Sequence, residues 1–150
     1  MYVRALAGVS GRVIDIGAGG GVPGLVIAHD RPDLEIVLVD RRQKRTDFLE
    51  RLRRRYAWLA SVEVRCAEVT DLVATMPSGQ LADAVVARGF GPPLQTLRFG
   101  ASLVQPGGLI VISEPPDGDR WDPDRLRELG VRRHPVDRSG DRIAVFARTG

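Results

Sequence analysis

The chain has 150 residues and a mass of 16.4 kDa, a length that fits a single domain, 1–150, and leaves little room for a second one. Its one cysteine, Cys66, excludes an internal disulfide and a cysteine-only zinc cluster, so the sequence predicts no metal site. No apolar run approaches the roughly 20 residues of a membrane helix, and the N-terminus has no signal-peptide pattern, so we expect a soluble, cytoplasmic protein without membrane contacts.

Arginine carries nearly all of the positive charge. The formal net charge is only +3, but the chain has 22 basic residues, of which Lys44 is the sole lysine. The planar guanidinium group matches the paired oxygens of phosphates and carboxylates. Nucleic acid or another polyanion is therefore a partner to be tested.

Apolar and β-branched runs alternate with helical stretches, which predicts an α/β fold with a parallel sheet and crossover helices. Several of the apolar runs are continuous, as expected when helices cover both faces of the sheet. The residues 131–148 differ, because they form two extended runs joined at Ser139–Gly140, which indicates an antiparallel hairpin at one edge. The predicted strands are 12–16, 35–40, 62–66, 83–87 and 109–113, and the predicted helices are 42–56, a helix from Pro92–Pro93 to Pro106, and 123–129.

The periodicity of the helices also predicts which side chains face the core. In the helix 42–56 most arginines are expected to face water. Cys66 is expected to be a buried apolar residue. Phe90, Trp58 and Trp121 are expected to pack in the core or at its rim rather than to stack on a base, although Trp121 has the most polar sequence context of the three. The inward stripes are predicted to consist of Phe48, Leu49, Leu52 and Tyr56 in the first helix and of Leu94, Leu97, Ala101 and Val104 in the second.

The strongest local signal is the glycine-rich segment VIDIGAGGGVPG, residues 13–24, which leads from the first strand into a helix that begins near Pro23. Glycine removes the Cβ atoms that would keep a ligand from the main chain, and it permits positive φ in the turn. Asp40 ends the second predicted strand, where a carboxylate can accept both hydroxyls of a ribose. These features predict a nucleoside site.

Two cofactors compete for that site. Gly19, Gly21 and Gly24 satisfy the GxGxxG spacing of a dinucleotide site, but the first glycine after the strand is Gly17, and the pattern counted from there would need glycine at Val22. Asp15 adds a carboxylate that would repel a pyrophosphate and tolerate an ammonium group. S-adenosylmethionine therefore fits better than a nicotinamide dinucleotide, and a nicotinamide-dependent oxidoreductase is the outside alternative.

These residues resemble a known family. The pattern DxGxGxGxPG at 15–24, the acid at Asp40, the PGG turn at 106–108 and the terminal hairpin are similar to class I S-adenosylmethionine-dependent methyltransferases. The resemblance implies a Rossmann-like fold, with a mostly parallel seven-stranded sheet and helices on both faces. Within that class, DIGAGGGVPG, VDRRQKRTDFL at 39–49, CAEVTDL at 66–72 and VVARGFGPPL at 85–94 resemble the RsmG family, also called GidB, whose members methylate N7 of a guanine in small-subunit ribosomal RNA.

The resemblance also implies roles for individual residues, with glycines at the methionine end, Asp40 at the ribose and Ala67–Glu68 at the adenine rim. The implied partner is ribosomal RNA or the small ribosomal subunit. No catalytic base is implied. The residues expected at the cofactor are Asp15, Gly17, Ala18, Gly19, Gly21, Asp40, Arg41, Ala67, Glu68 and Arg88, and those expected at RNA are Pro23, Lys44, Arg45, Arg88 and Phe90.

The chain departs from the family pattern in two places. The family has a helical extension before the first strand, whereas ten residues precede Gly11 here, and it tends to have lysine-glycine where this chain has 113–115. Both differences are expected on the side that faces RNA. Two further hypotheses therefore stand beside an RNA methyltransferase: a cofactor-binding module without activity of its own, and a small-molecule methyltransferase. Arg88 also has a purely structural alternative, an ion pair with Asp15.

Overall fold

The computed structural model describes residues 1–115, 120–135 and 142–150, and a seven-stranded sheet runs through it. The strands are β1 Arg12–Ile16, β2 Glu35–Asp40, β3 Val62–Cys66, β4 Ala82–Ala87, β5 Val104–Ser113, β6 Val131–Arg133 and β7 Ile143–Arg148. The helices are α1 Tyr2–Ala5, α2 Gly24–Asp30, α3 Gln43–Arg55, α4 Val69–Thr75, α5 Pro93–Leu103 and α6 Pro123–Glu128, with 3-10 turns at Ala57–Leu59 and Ser78–Gln80.

The strand order is β3-β2-β1-β4-β5-β7-β6, so β3 and β6 are the two edges of the sheet. Strands β1 to β5 are parallel, and β7 is inserted antiparallel between β5 and β6. The predicted α/β fold and the terminal antiparallel pair are thus confirmed, while the turn predicted at Ser139–Gly140 lies outside the described residues. Because β2 and β4 lie on opposite sides of β1, a crevice is expected between the carboxyl ends of β1 and β4.

Helices cover both faces of the sheet, as the continuous apolar strands predict. One core lies under α1, α2 and α3, where Leu6, Ile27 and Leu49 pack on the sheet. The other lies under α4, α5 and α6, where Leu72, Leu97 and Leu126 pack. In the described ranges, no helix is long and apolar enough to cross a membrane.

Helix α5 approaches the sheet closely because of a glycine. Gly100 is buried, and a Cβ placed on it would lie 2.6 Å from Cγ2 of Ile110 in β5. Glycine weakens a helix by about 1 kcal/mol relative to alanine. The absence of a Cβ at Gly100 allows the helix to pack directly on the strand.

The predicted inward stripes are partly wrong. In α3 the buried residues are Thr46 and Leu49, whereas Phe48 and Tyr56 are 41% and 42% exposed. Phe48 precedes Leu49 and so lies about 100° around the helix from the side that faces the sheet. In α5 the predicted Leu97 is buried, but Leu94 is 40% exposed, because the side that faces the core also carries Thr96, Gly100 and Leu103.

The expectation for Cys66 is wrong, whereas the packing expected for Trp121 is confirmed. Cys66 is exposed because it ends the edge strand β3, where nothing covers it fully. Trp121 is only 5% exposed, since its ring lies edge-on against Phe146 with centroids 4.7 Å apart. Its Nε1 donates a hydrogen bond of 2.8 Å to Glu114. Trp121 is therefore packed in the core despite its polar sequence context.

Candidate functional site

A cavity of about 470 Å³ opens where the crevice is expected, at the carboxyl ends of β1, β2, β3 and β4. Seven of the predicted site residues line it, and they lie at or just after the ends of β1, β2, β3 and β4, with Arg45 in α3. They are Gly17, Asp40, Arg41, Arg45, Ala67, Glu68 and Phe90. The fold thus brings together residues that lie far apart in the sequence.

Asp40, the last residue of β2, is the acidic centre of this cavity. The residue is 5% exposed, its Oδ2 accepts a hydrogen bond of 2.9 Å from the N–H of Gly19, and its Oδ1 accepts one of 2.9 Å from the N–H of Arg42. Arg45 Nη1 lies 3.5 Å from Oδ2. A carboxylate has about four acceptor positions, so Asp40 keeps acceptor capacity toward the cavity.

The glycine loop owes its shape to positive φ angles. Gly17, Gly19 and Gly21 have φ values of 71°, 54° and 95°, a region that favours glycine. Gly21 serves packing, because a Cβ on it would overlap Leu25 and lie 3.1 Å from Leu49. Of these three glycines only Gly17 lines the cavity. The loop therefore presents bare main chain to the cavity at one point and packs against α2 and α3 at another.

Phe90 lies over that bare main chain. A Cβ on Gly17 would be 2.5 Å from Cδ2 of the Phe90 ring. The ring also packs edge-on against Phe99, with centroids 6.0 Å apart. Its neighbours Gly89 and Gly91 have open space around them. An aromatic ring between two glycines thus bounds the cavity directly above the glycine loop.

Asp15 lies beneath the loop and is completely buried. Its Oδ2 accepts a hydrogen bond of 2.8 Å from the N–H of Gly24, while Oδ1 is buried without a hydrogen-bond partner in the described residues. Burial raises the pKa of Asp15 to about 7, the hydrogen bond from Gly24 opposes this shift, and the charge of Asp40 adds to it. Asp15 therefore braces the start of α2, and its side chain is not part of the cavity wall.

The rim of the cavity at β3 is charged. Arg41 Nη1 lies 3.5 Å from Glu68 Oε1, and both side chains are more than half exposed. The N–H of Ala67 donates to the carbonyl of Asp40 at 3.1 Å, which holds the two strand ends together. Glu68 is the N-cap residue of α4, but its side chain makes no capping hydrogen bond. The carboxylate of Glu68 consequently lies at the exposed rim, where it pairs with Arg41.

Several predicted residues lie near the cavity without lining it. Arg88 is exposed at the end of β4 and forms no ion pair with Asp15 or any other carboxylate of the described chain. Lys44 is exposed on α3, and Pro23 is buried before α2. The predicted residues outside the lining are Asp15, Ala18, Gly19, Gly21, Pro23, Lys44 and Arg88.

Sequence reasoning missed part of the lining. Most of the missed residues directly follow strand ends, and that position was itself the available signal. Gln95 and Phe99 come from α5, at positions that the predicted inward stripe of this helix did not include. The missed residues are Val39, Arg42, Val69, Thr70, Gly89, Gly91, Pro92, Gln95 and Phe99. Within the ranges that the structure describes, no cluster of His, Cys, Asp and Glu is suited to hold a metal.

Comparison with known proteins identifies the family. The family model described as rRNA small subunit methyltransferase G matches residues 2–114. The chain belongs to the GidB family. The GidB relatives include a protein named ribosomal RNA small subunit methyltransferase G from Acidothermus cellulolyticus, which is 35% identical over 103 residues, 69% of this chain and 43% of that protein. The chain spans less than half the length of the curated GidB relatives it matches.

Solved structures agree on the fold. A predicted O-methyltransferase from Agrobacterium tumefaciens is 22% identical with a TM-score of 0.68, and the match covers 99% of this chain and 79% of that one. The cyclase SpnF is 15% identical with a TM-score of 0.71 and the same coverage of both chains. Since a methyltransferase and a cyclase share this architecture, the fold of the GidB chain does not by itself define its reaction.

Proposed function

We propose that this chain binds S-adenosylmethionine and transfers its methyl group to N7 of a guanine in small-subunit ribosomal RNA. Family membership supports the reaction, and one observation in the structure supports the site. Asp40 lines the cavity with free acceptor capacity while it also holds Gly19 of the glycine loop. A sugar bound by this carboxylate would therefore lie beside the main chain of the loop.

The residues present fit this cofactor. Asp40 would accept a hydrogen bond from a sugar hydroxyl, Ala67 and Glu68 would border the adenine, and the methionine part would lie beside Gly17 and the Phe90 ring that covers it. Asp40 and Glu68 line the cavity beside Arg41, Arg42 and Arg45, so the charge of the lining does not decide against a diphosphate, and the choice of cofactor is supported by family membership. When bound, the cofactor supplies an activated methyl group on its sulfonium.

The chain contributes positioning rather than acid–base chemistry. Guanine N7 has a free lone pair at neutral pH, so no side chain needs to remove a proton. None of the described residues that line the cavity is a histidine or a cysteine. Orientation of two reactants contributes about 7–11 kcal/mol in favourable cases. Phe90, directly above Gly17, is placed to stack on the target base and to exclude water.

Basic residues around the cavity hold the RNA in this proposal. Arg45 lines the cavity, whereas Lys44 and Arg88 are exposed outside it. Each phosphate contact to a single strand contributes about −0.7 to the log–log slope of affinity against salt. The cytoplasmic location belongs to the same proposal, since small-subunit ribosomal RNA would be the substrate.

Cofactor binding is tested by calorimetric titration with S-adenosylhomocysteine. Asp40→Asn removes the charge, and a lost hydrogen bond to a charged group corresponds to a weakening of about tenfold or more. Asp124→Asn, a matched change at an exposed position of α6, leaves binding unchanged. Circular dichroism verifies that both variants fold. Equal affinity of Asp40→Asn and the parent chain would remove the site assignment.

Methyl transfer is tested separately. The chain is incubated with radiolabelled S-adenosylmethionine and either small ribosomal subunits or their naked RNA, and the digested RNA is analysed by mass spectrometry for 7-methylguanosine. Product in the RNA is the expected result. Binding of S-adenosylhomocysteine without product in RNA would favour the cofactor-binding module, and transfer to small metabolites alone would favour the small-molecule methyltransferase.

A further inference from the structure

The outer side of α3 carries a row of exposed cationic and aromatic residues. Lys44, Phe48, Arg51 and Arg55 follow the spacing i, i+4, i+7, i+11, which places them on one side of a helix. All four are exposed. This row faces away from the sheet, because Thr46 and Leu49 fill the opposite side of α3.

The cations of this row are not neutralised. Glu50, on another side of α3, lies 3.0 Å from Arg53 and 3.7 Å from Arg54. Lys44 and Arg51 have no ion pair with a carboxylate of the described chain, and the guanidinium of Arg55 lies 5.8 Å from the ring centroid of Tyr56. Positive charge is therefore available to a ligand along the whole row.

The row continues into an exposed aromatic cluster just after α3. Tyr56 is 42% exposed and Trp58 is 46% exposed, and their ring centroids are 6.3 Å apart. Trp58 is held from the other side by the ring of His29 in α2, at 5.3 Å in an edge-on arrangement. The aromatic rings are thus fixed by one another and by α2 while they remain open to solvent.

We propose that this face, the α3 surface formed by Lys44, Phe48, Arg51, Arg55, Tyr56 and Trp58, binds a single-stranded segment of RNA. Bases stack on the aromatic rings, and phosphates lie against the cations. The inference rests on the proposed function only for the identity of the RNA. None of the six residues lines the cavity.

The geometry places this contact away from the reaction. Helix α3 has 13 residues and so a length of about 20 Å. It begins near the carboxyl ends of the strands, where Arg45 lines the cavity, and it ends just before Tyr56 and Trp58. The core of a protein–protein interface is depleted of charged residues. Three cations interleaved with aromatic rings favour RNA over a protein as the occupant.

Tryptophan fluorescence tests the proposal directly, because the chain has two tryptophans and Trp121 is buried. The chain is titrated with a short oligouridylate and, in parallel, with inorganic polyphosphate. The expected result is quenching of Trp58 by the oligonucleotide and binding without comparable quenching by polyphosphate, which has charge but no bases. Absence of quenching by the oligonucleotide would overturn the proposal.

Variants then divide stacking from charge, with affinity measured by anisotropy of labelled RNA. Trp58→Ala weakens binding by roughly 5- to 30-fold, as loss of one stacked base predicts, and Trp58→Phe restores most of it. Arg51→Gln with Arg55→Gln reduces the salt slope by about 1.4. Arg125→Gln with Arg127→Gln, the same charge change on α6, leaves affinity and slope unchanged. Equal losses in both double variants would mean unspecific attraction and would contradict the proposal.

The result is distinguishable from failure of the proposed function. Trp58→Ala leaves affinity for S-adenosylhomocysteine unchanged, because Trp58 is outside the cavity. Quenching by RNA without methyl transfer would retain the α3 surface and reject the reaction. Methyl transfer to RNA that is equally efficient in Trp58→Ala and the parent chain would retain the reaction and reject the α3 surface. A Trp58 signal that depends on protein concentration without RNA would assign the surface to contacts between chains and would overturn the proposal.

Discussion

Replacement of Asp15 by asparagine tests the electrostatics beneath the glycine loop. The variant keeps the shape of the side chain and an oxygen for the N–H of Gly24, but it cannot ionise. Burial raises the pKa of Asp15 from 3.8 to about 7 in the folded chain. Since one pKa unit corresponds to 1.36 kcal/mol, the ionised form costs about 4 kcal/mol of folding free energy at high pH.

The sign of the effect follows from the proton balance. Below pH 3.8 Asp15 is protonated in both the folded and the unfolded state, and its contribution to stability is fully present. As the pH rises toward about 7, the unfolded chain releases this proton while the folded chain retains it, so the free energy of unfolding decreases. Above that pH the loss is complete. Asp15→Asn has no such dependence.

Urea denaturation followed by circular dichroism between pH 4 and pH 8 measures the effect. The stability of the parent chain minus that of Asp15→Asn is expected to fall by about 4 kcal/mol across this range. Asp71→Asn, at an exposed position of α4, corrects for the loss of one formal charge. A difference that stays constant with pH would refute the argument that burial keeps this carboxyl protonated.

Two further predictions concern packing and one buried hydrogen bond. Gly100→Ala places a Cβ 2.6 Å from Ile110 and lowers the free energy of unfolding by about 1–3 kcal/mol in urea titrations, whereas Gly79→Ala, which has open space, changes it little. Tyr2→Phe removes the 2.8 Å hydrogen bond from the hydroxyl to the carbonyl of Ala87 and costs about 1 kcal/mol in the same assay. Full stability of Gly100→Ala would mean that α5 shifts freely on β5, and full stability of Tyr2→Phe would mean that water replaces the hydroxyl.

The central strands were predictable because their burial on both faces produces continuous apolar runs. Strands β1, β2 and β3 were predicted with the observed limits, and β4 begins at Ala82, one residue before its predicted start. The first part of β5 was missed, since Pro106 and the following glycines indicate a turn. Helices α1 and α4, with 4 and 7 residues, were not predicted, because both are short and neither begins at a proline such as those that mark the starts of α2 and α6.

The candidate site was predictable where local chemistry defines it. The glycines and Asp40 have roles that follow from the main chain around them, so a motif identifies them. Phe99 and Gln95 line the cavity only because α5 packs on the sheet at a particular rotation, which depends on distant contacts such as that of Gly100 with Ile110. The exposure of Phe48 and Tyr56 depends in the same way on the rotation of α3.

The two edge strands of the sheet, β3 and β6, affect how readily the protein aggregates. An edge strand offers unpaired main-chain groups to which another chain can add, and fibrils grow by this route. At one edge β3 carries Glu63 and Arg65, and at the other β6 has three residues, two of them arginine. A strand added at either side would have to desolvate these charges. The charged side chains of the outermost strands therefore oppose edge-to-edge addition of another chain, which protects a sheet whose central strands are mostly apolar.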